Sequence, residues 1–408
     1  MLGRVCKQVT RIGSGKSQVL RGFSIFHKLN DPASLNEEQI QIQQSALDFA
    51  EKYLAPNSAE WDRKGHFPVE IFKESAPYGF CGIYTSEQGG GVGLGRLEAS
   101  LIFEALSYGD VSFSAYLSIH NMCNWMIDSF GNDEQRAEWC TKLSDFDVMS
   151  SYCLTEPNAG SDALSLQTSA KKDGDDYVIN GSKCFISGGP TSGLFLVMCR
   201  TGPKEISTIL VPADTPGIAL GKNELKMGWK SQPTSMVMFE NVRVPKKNLL
   251  GQEGEGFKFA MKGLNGGRIN IASCSLGGAS LALNESVNYS KQRKQFGKPI
   301  SDFQNIQFKL ADMATDLVTS RLIVRKACHI MDNPESTDND KIMYSAMAKK
   351  HATDVCFDLA NNALQIHGGY GYLNDYPIER IVRDLRVHMI LEGTNEIMRM
   401  IIGRKVLE

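Results

Sequence analysis

The sequence has no hydrophobic stretch of membrane-spanning length. Its longest wholly apolar run is Leu194 to Cys199, six residues, where a bilayer-crossing helix needs about 20. No integral membrane segment is expected. There is no dense basic block, and the formal net charge is -2, so no nucleic-acid partner is expected either. The 10 cysteines are scattered singly. None form a C-x-x-C pair, and none recur with histidines at metal-ligand spacing. Neither a structural zinc, nor any other metal, nor a disulfide framework is expected, and the thiols read as reduced and mostly buried. Internal repeats and low-complexity linkers are absent. Acids are missing before Asp31, while Arg4, Lys7, Arg11, Lys16, Arg21 and Lys28 are present among serines and small apolar residues. That composition reads as a mitochondrial transit peptide over roughly residues 1–30, which implies the mitochondrial matrix. Cleavage after Phe23 would leave Arg21 at the third position upstream. It would remove five basic residues and no acids, so the charge would become -2 - 5 = -7.

What remains is an ordinary globular composition, 42% hydrophobic and 22% charged over 408 residues, enough for two or three domains with cores of their own. Residues 31–150 read as a helical domain. Asn36 before Glu37-Glu38-Gln39 forms a capping box, with Leu35 and Ile40 placed as a staple. Ile42, Ala46, Phe49 and Tyr53 keep one helical face. Further helices are expected near 68–77, 95–108, 113–130 and 132–143. The glycine-rich stretch Gly89 to Gly95 fits no dinucleotide-binding register and reads as a flexible surface loop. Residues 151–250 read as a β domain of the barrel or sandwich kind, with Asp173-Gly174 and Asn180-Gly181 as hairpin signals. Residues 251–408 read as long helices. Ile306, Leu310, Met313, Leu317 and Val324 keep one face, Cys356, Leu359, Ala363 and Ile366 keep another, and Gly368-Gly369 caps the second. Short connections between long helices imply a four-helix bundle. The fold class is α+β.

Four stretches carry chemistry. Tyr152-Cys153-Leu154-Thr155-Glu156-Pro157-Asn158-Ala159-Gly160-Ser161 offers backbone N–H groups and hydroxyls at the edge of the β domain. Phe185-Ile186-Ser187 follows one strand later. Arg293 to Gly297 is a cationic turn between helices. Glu392 stands before Gly393 and Thr394, at the entrance of an amphipathic helix. Taken singly, each admits a plain reading: a polar turn, a solvated helix end, an acid facing a helix dipole.

In this order and at these separations the stretches resemble the acyl-CoA dehydrogenase family of flavoenzymes, from about residue 35 to the C-terminus. Ser118 to Cys123 and Gly263 to Cys274, with the surroundings of Glu392, resemble the branch that acts on isobutyryl-CoA. The resemblance implies an FAD-dependent α,β-dehydrogenation of a short branched acyl-CoA, isobutyryl-CoA to methacrylyl-CoA in valine catabolism. Electrons would pass to electron-transferring flavoprotein. 2-Methylbutyryl-CoA or butyryl-CoA are alternative substrates, since a methylene is worth only about 1–3 kcal/mol of discrimination. A non-catalytic flavin-binding assembly partner is the alternative of another class, and the presence of Glu392 speaks against it. An acyl-CoA oxidase is a third reading, disfavoured because the chain ends without a peroxisomal S-K-L-type address.

By the same resemblance Glu392 is the catalytic base. Some relatives place the base in a motif like residues 263–269, where this chain has Gly267 and no carboxylate. Residues 152 to 161 and 185 to 187 would line the flavin, with Thr155 and Ser187 as donors and Ser161 also near the substrate. Arg293, Phe296, Phe303 and Gln304, with Gln365, Ile366, His367, Gly368 and Gly369, would grip the adenosine diphosphate part of FAD across a subunit boundary, which implies a homotetramer. Thr394, Asn395 and Glu396 would close over the flavin. Asn265, Gly266, Gly267, Arg268, Gly393 and Arg404 would meet the acyl-CoA. Many relatives carry Asp where Asn265 stands, so the hold on the CoA adenine departs from the family's pattern.

Overall fold

The computed structural model describes residues 24–30 and 34–408. The basic stretch 1–23, which holds most of the transit-peptide reading, lies outside the described residues. The end of that reading overlaps a packed helix, α1 (Ser24–Leu29). Phe26 is fully buried and meets Tyr108 edge-on at 5.5 Å. The Leu29 carbonyl accepts from Arg321 at 3.0 Å. Through Phe26 and Leu29 this helix packs with the folded body.

Helices α2 (Glu37–Phe49), α3 (Ser58–Lys64), α4 (Val69–Ser75), α5 (Arg96–Gly109), α6 (Val111–Phe130) and α7 (Asp133–Ser144) follow. The expected capping box at Asn36 is present, with Gln39 as its reciprocal partner. The glycine-rich stretch 89–95 is not a free surface loop. The N–H groups of Val92, Gly93 and Leu94 donate to the carbonyls of Gly82, Thr85 and Ile83 at 2.8–2.9 Å. It folds back on the preceding turn because glycines let two backbones approach.

The middle region runs β1 (Ser150–Cys153), β2 (Ser169–Asp173), β3 (Asp176–Ser187), β4 (Leu194–Arg200), β5 (Ile206–Pro212), β6 (Ile218–Leu220), β7 (Thr234–Pro245) and β8 (Leu249–Leu250). One sheet has the order β6-β7-β3-β2-β4-β5-β8, and β1 pairs parallel to β4. Asp173-Gly174 makes the β2–β3 hairpin. Asn180-Gly181 does not turn the chain. It sits inside β3, where Gly181 adopts φ 148° and the pairing with β7 slips by a residue. Asn180 there faces two residues of β7, Glu240 and Asn241, so the extra residue of the bulge belongs to β7 and both strands continue past it.

The last region is α8 (Gly256–Gln292), the small ribbon β9 (Lys294–Gln295) and β10 (Lys298–Pro299), then α9 (Gln304–Asp332), α10 (Asp338–His367), α11 (Ile378–Arg386) and α12 (Asn395–Leu407). α8 is buried over most of its length and packs against α5, α6, α9 and α10. At Gly277 a β-carbon would lie 2.2 Å from the Glu104 carbonyl, so α5 and α8 touch backbone to backbone. The fully buried Arg321 on α9 pairs with Glu104 on α5 at 2.6 Å. Such a pair is costly to break once desolvated. The nine described cysteines are buried and unpaired, as the scattered spacing implied. No described helix is long and apolar enough to cross a membrane.

Candidate active site

Glu392 lies between α11 and α12, in a turn that two residues hold in the left-handed region. Its φ is 57°, and that of Gly393 is 88°. For a residue other than glycine this conformation costs roughly 1–3 kcal/mol, and such strain gathers at functional positions. Thr394 then caps α12, its hydroxyl accepting from the Ile397 N–H at 3.3 Å. The turn points the Glu392 side chain at α8. A β-carbon on Gly267 would lie 2.6 Å from Oε2 and 2.8 Å from the carboxyl carbon. The glycine thus makes room for the carboxylate. The position that is vacant of an acid and the position that holds one share the same space.

Both carbonyls of the turn are held by cations. Arg268 Nε donates to the Glu392 carbonyl at 3.4 Å, and Lys349 Nζ to the Gly393 carbonyl at 2.8 Å. Among the described residues the Glu392 N–H has no protein acceptor, and Glu392 Oε2 is buried without a hydrogen-bond partner. Burial pushes the Glu392 carboxyl up to about 7, although Arg268 and then Lys349 pull it down. Tyr152 and Cys123 feel the Glu392 charge, behind burial itself, and both are pushed above their ordinary values. A carboxylate with one buried, orphan oxygen, poised near neutral pH, beside a free N–H is suited to take a proton from carbon while the N–H meets the charge that develops.

Three contributors lie outside the motifs that the sequence singles out. Lys349 is fully buried on α10. It is a lysine on the apolar stripe that carries Cys356, Leu359 and Ala363, and that misplacement was the available signal. Arg96 is buried, with its guanidinium 3.9 Å over the Tyr84 ring and 5.2 Å from that of Trp125, against the backbone of Gly266. Gln232 donates to the Ser187 hydroxyl at 2.8 Å.

The other expected site residues divide into groups. Asn265 accepts from Arg268 at 2.7 Å, close to Glu392. Tyr152 is half-buried and donates to the Ala260 carbonyl at 3.4 Å, whereas Cys153, Leu154 and Ile186 face the cores and leave only backbone to a ligand. Pro157, Asn158, Gly160, Ser161 and Phe185 are exposed, and Phe185 is held at φ 56°. The Glu156 side chain is engaged within the protein. Its carboxylate accepts from Lys183 at 2.8 Å and from the N–H groups of Gln167 and Thr168. Asn395 is likewise consumed inside the protein, accepting from Lys349 and donating to Thr353 and Asp354. Glu396 is exposed and pairs with Arg399 at 3.2 Å. Arg404 is exposed, nine residues and so about 14 Å along α12 from Asn395.

Arg293, Ile366, His367, Gly368 and Gly369 meet in a second place, a cleft of about 540 Å3 that Tyr289 and Tyr370 also line. Gln365 and Gln304 are exposed and do not line it, and Phe296 meets Phe303 edge-on at 6.0 Å. His367 stacks on Tyr289 and its Nδ1 faces the Ala363 carbonyl at 2.8 Å, so Nε2 is a bare acceptor, buried without a partner. Burial holds the ring neutral. A cation, two open glycines and an orphan acceptor suit a ligand that brings both phosphate and hydroxyl groups. The residues present therefore fit a dinucleotide.

Three family descriptions match in chain order: Acyl-CoA dehydrogenase, N-terminal domain over residues 36–147, middle domain over 151–242 and C-terminal domain over 254–407. This chain belongs to the acyl-CoA dehydrogenase family. Mitochondrial isobutyryl-CoA dehydrogenase of Bos taurus is 52% identical over 93% of this chain and 91% of its own length. Its counterpart from Dictyostelium discoideum is 51% identical over 95% of this chain and 94% of its own. A glutaryl-CoA dehydrogenase from Mycobacterium smegmatis, solved in complex with FADH2, superposes with a TM-score of 0.89 at 27% identity, covering 94% of this chain and 98% of that one. The chain is an acyl-CoA dehydrogenase by family and shares the family's dependence on flavin.

With Glu392 as the base, kcat/KM is expected to rise as pH rises through about 7. The protonated carboxyl cannot accept a proton, so activity is lost as pH falls through that value. A rate measured across this range that stays flat would contradict the assignment.

Proposed function

We propose that this chain binds FAD in the mitochondrial matrix, oxidises isobutyryl-CoA to methacrylyl-CoA within valine catabolism, and delivers the electrons to electron-transferring flavoprotein. The observation that carries the reading is the buried, unpartnered Glu392 Oε2 in a turn whose own N–H is unused. Its substrate must bring a weakly acidic C–H and an oxygen that gains charge as the proton leaves. A thioester carbonyl answers both needs. The Glu392 carboxylate takes the α proton, and the Glu392 N–H holds the thioester oxygen. Arg268 and Lys349 fix the turn from its two carbonyls. When bound, the flavin supplies the acceptor for the hydrogen leaving Cβ. The loop 152–161 and the turn at Phe185 to Ser187 would face it, chiefly through backbone, Thr155 and the Ser187 hydroxyl.

The isobutyryl choice rests on two relatives from distant organisms that carry that name at 52% and 51% identity. Matrix location rests on the same relatives and on the acid-free N-terminus. The homotetramer rests on the family resemblance, and a neighbouring copy is supported by distance and exposure. Lys349, beside the base, and His367, in the cleft, are 18 residues apart on α10, or about 27 Å. We assign the cleft to the dinucleotide of a neighbouring copy, whose surface would cover Phe296, Phe308 and Tyr372, exposed by 93%, 58% and 81%.

Anaerobic titration of the purified protein with isobutyryl-CoA tests this, read at the visible flavin band, with butyryl-CoA and 2-methylbutyryl-CoA alongside. Isobutyryl-CoA is expected to bleach the band fastest. Bleaching by another acyl chain alone would keep the chemistry and overturn the substrate. A yellow protein that no acyl-CoA bleaches would overturn the enzyme in favour of a flavin-binding assembly partner.

A further inference from the structure

We propose that Lys349 is a positioning residue for the base: its ammonium clamps the strained Glu392–Gly393 turn to α10 and thereby sets both the aim and the proton affinity of the Glu392 carboxylate. The inference rests on the function proposed above.

The geometry is specific. Lys349 Nζ reaches the Gly393 carbonyl and Asn395 Oδ1, each at 2.8 Å. The two acceptors flank the cap residue Thr394, so one ammonium ties the turn to the first residue of α12. Asn395 passes the tie on, donating to Thr353 at 2.9 Å and to Asp354 at 2.5 Å, both on α10. Thr353 bonds back to the Lys349 carbonyl at 2.8 Å. The network closes on itself, with Lys349 fully buried and Asn395 nearly so. A buried ammonium has a high desolvation cost, and it persists only where its protons are used.

The surroundings define its charge. Glu392, Asp354 and Glu396 face Lys349 as anions, and Arg268 faces it as a cation. His388 sits nearby, its ring kept neutral by burial first and by Lys349 second. Around Glu392 the facing groups are Arg268 on α8, Lys349 on α10, Tyr152 on β1 and Cys123 on α6. Burial brings Lys349 down to about 8, so at neutral pH most of it is charged. That charge opposes the rise that burial imposes on Glu392.

Lys349→Met keeps the length and removes both the donors and the charge. Turnover is expected to fall roughly 100-fold, the usual consequence of a misplacement near 1 Å. The acid limb of kcat/KM is expected to move to higher pH, and KM for the acyl-CoA is expected to change far less than kcat. A purely structural lysine would lower the melting temperature and leave the acid limb in place, and that result overturns the proposal. Infrared pH-difference spectra read the same carboxyl without turnover, the Glu392 band being the one missing in Glu392→Gln. An inert wild type would sink the function above, while an upward shift of that band in Lys349→Met would still bear out the clamp and an unmoved band would refute it. If Lys349→Met does not fold, Lys349→Arg decides. It is expected to hold the acid limb, because the charge is kept, and to lose turnover, because a planar fork meets the two oxygens differently. Full turnover in Lys349→Arg overturns the clamp.

Discussion

Replacing Glu392 by Gln is expected to lower turnover by about 100- to 10,000-fold, the range that a positioned general base contributes. The amide matches the carboxylate in size and can occupy the pocket that Gly267 leaves open. It cannot accept the α proton. The variant is also expected to melt no lower than the wild type above neutral pH. The sign follows from the carboxyl itself. Its folded value of about 7 exceeds the ordinary 4.5 because burial outweighs the pull of Arg268 and Lys349. The native state therefore holds a proton that the unfolded chain releases. Ionising the group costs stability as pH rises from 4.5 toward 7, and the cost persists above it. A neutral amide removes that cost. Steady-state assays and thermal melts of the two proteins would read both effects. Retained turnover would refute the base, and a large drop in melting temperature would mean that lost folding explains lost activity.

Replacing Gly267 by Ala is expected to cost about 100-fold in turnover while leaving the fold intact. The added carbon would sit 2.6 Å from Oε2, 2.8 Å from the carboxyl carbon and 2.9 Å from Oε1. Contacts between heavy atoms settle nearer about 3.5 Å, so the carboxylate must move by roughly 1 Å, the scale at which catalysis suffers most. The backbone cannot move with it, because Arg268 and Lys349 hold the two carbonyls of the turn. Helix α8 itself would gain, as alanine is better than glycine in a helix interior by about 1 kcal/mol. The two effects have opposite signs, which separates a shifted base from a damaged fold. Turnover within a few-fold of wild type would show that the carboxylate is not confined by this glycine. The occupied and vacant base positions would then not share one space.

Much of the architecture is legible in the sequence. The α2 capping box, the long stripes of α9 and α10, and the Asp173-Gly174 hairpin follow from residue types acting on their neighbours within a turn or two. Asn180-Gly181 carries the same local signal as a hairpin, yet it lies inside β3. Only pairing with β7, more than fifty residues away, decides that the strand runs on, with β7 carrying the extra residue of the bulge. The glycines at 89–95 promise flexibility and instead pack on residues 82–85.

The site divides along the same line. Glu392 before a glycine and a helix, and Gly267 without an acid, are visible in the sequence because the motif is contiguous. Glu156 and Asn395 sit inside motifs that imply ligand contact, and the structure uses both to hold the protein together. Lys349 belongs to no motif. Its neighbours in the sequence form an ordinary helix, and its partners are 44 and 46 residues away. The sequence by itself determined the helix–sheet–helix order and the family, and it singled out Glu392 as the candidate base. The tertiary structure alone decided that Gly267 opens the space for that base and that two cations fix its turn. Electrostatic and steric terms act through space over a few ångströms, whereas a sequence pattern reports only what lies near along the chain.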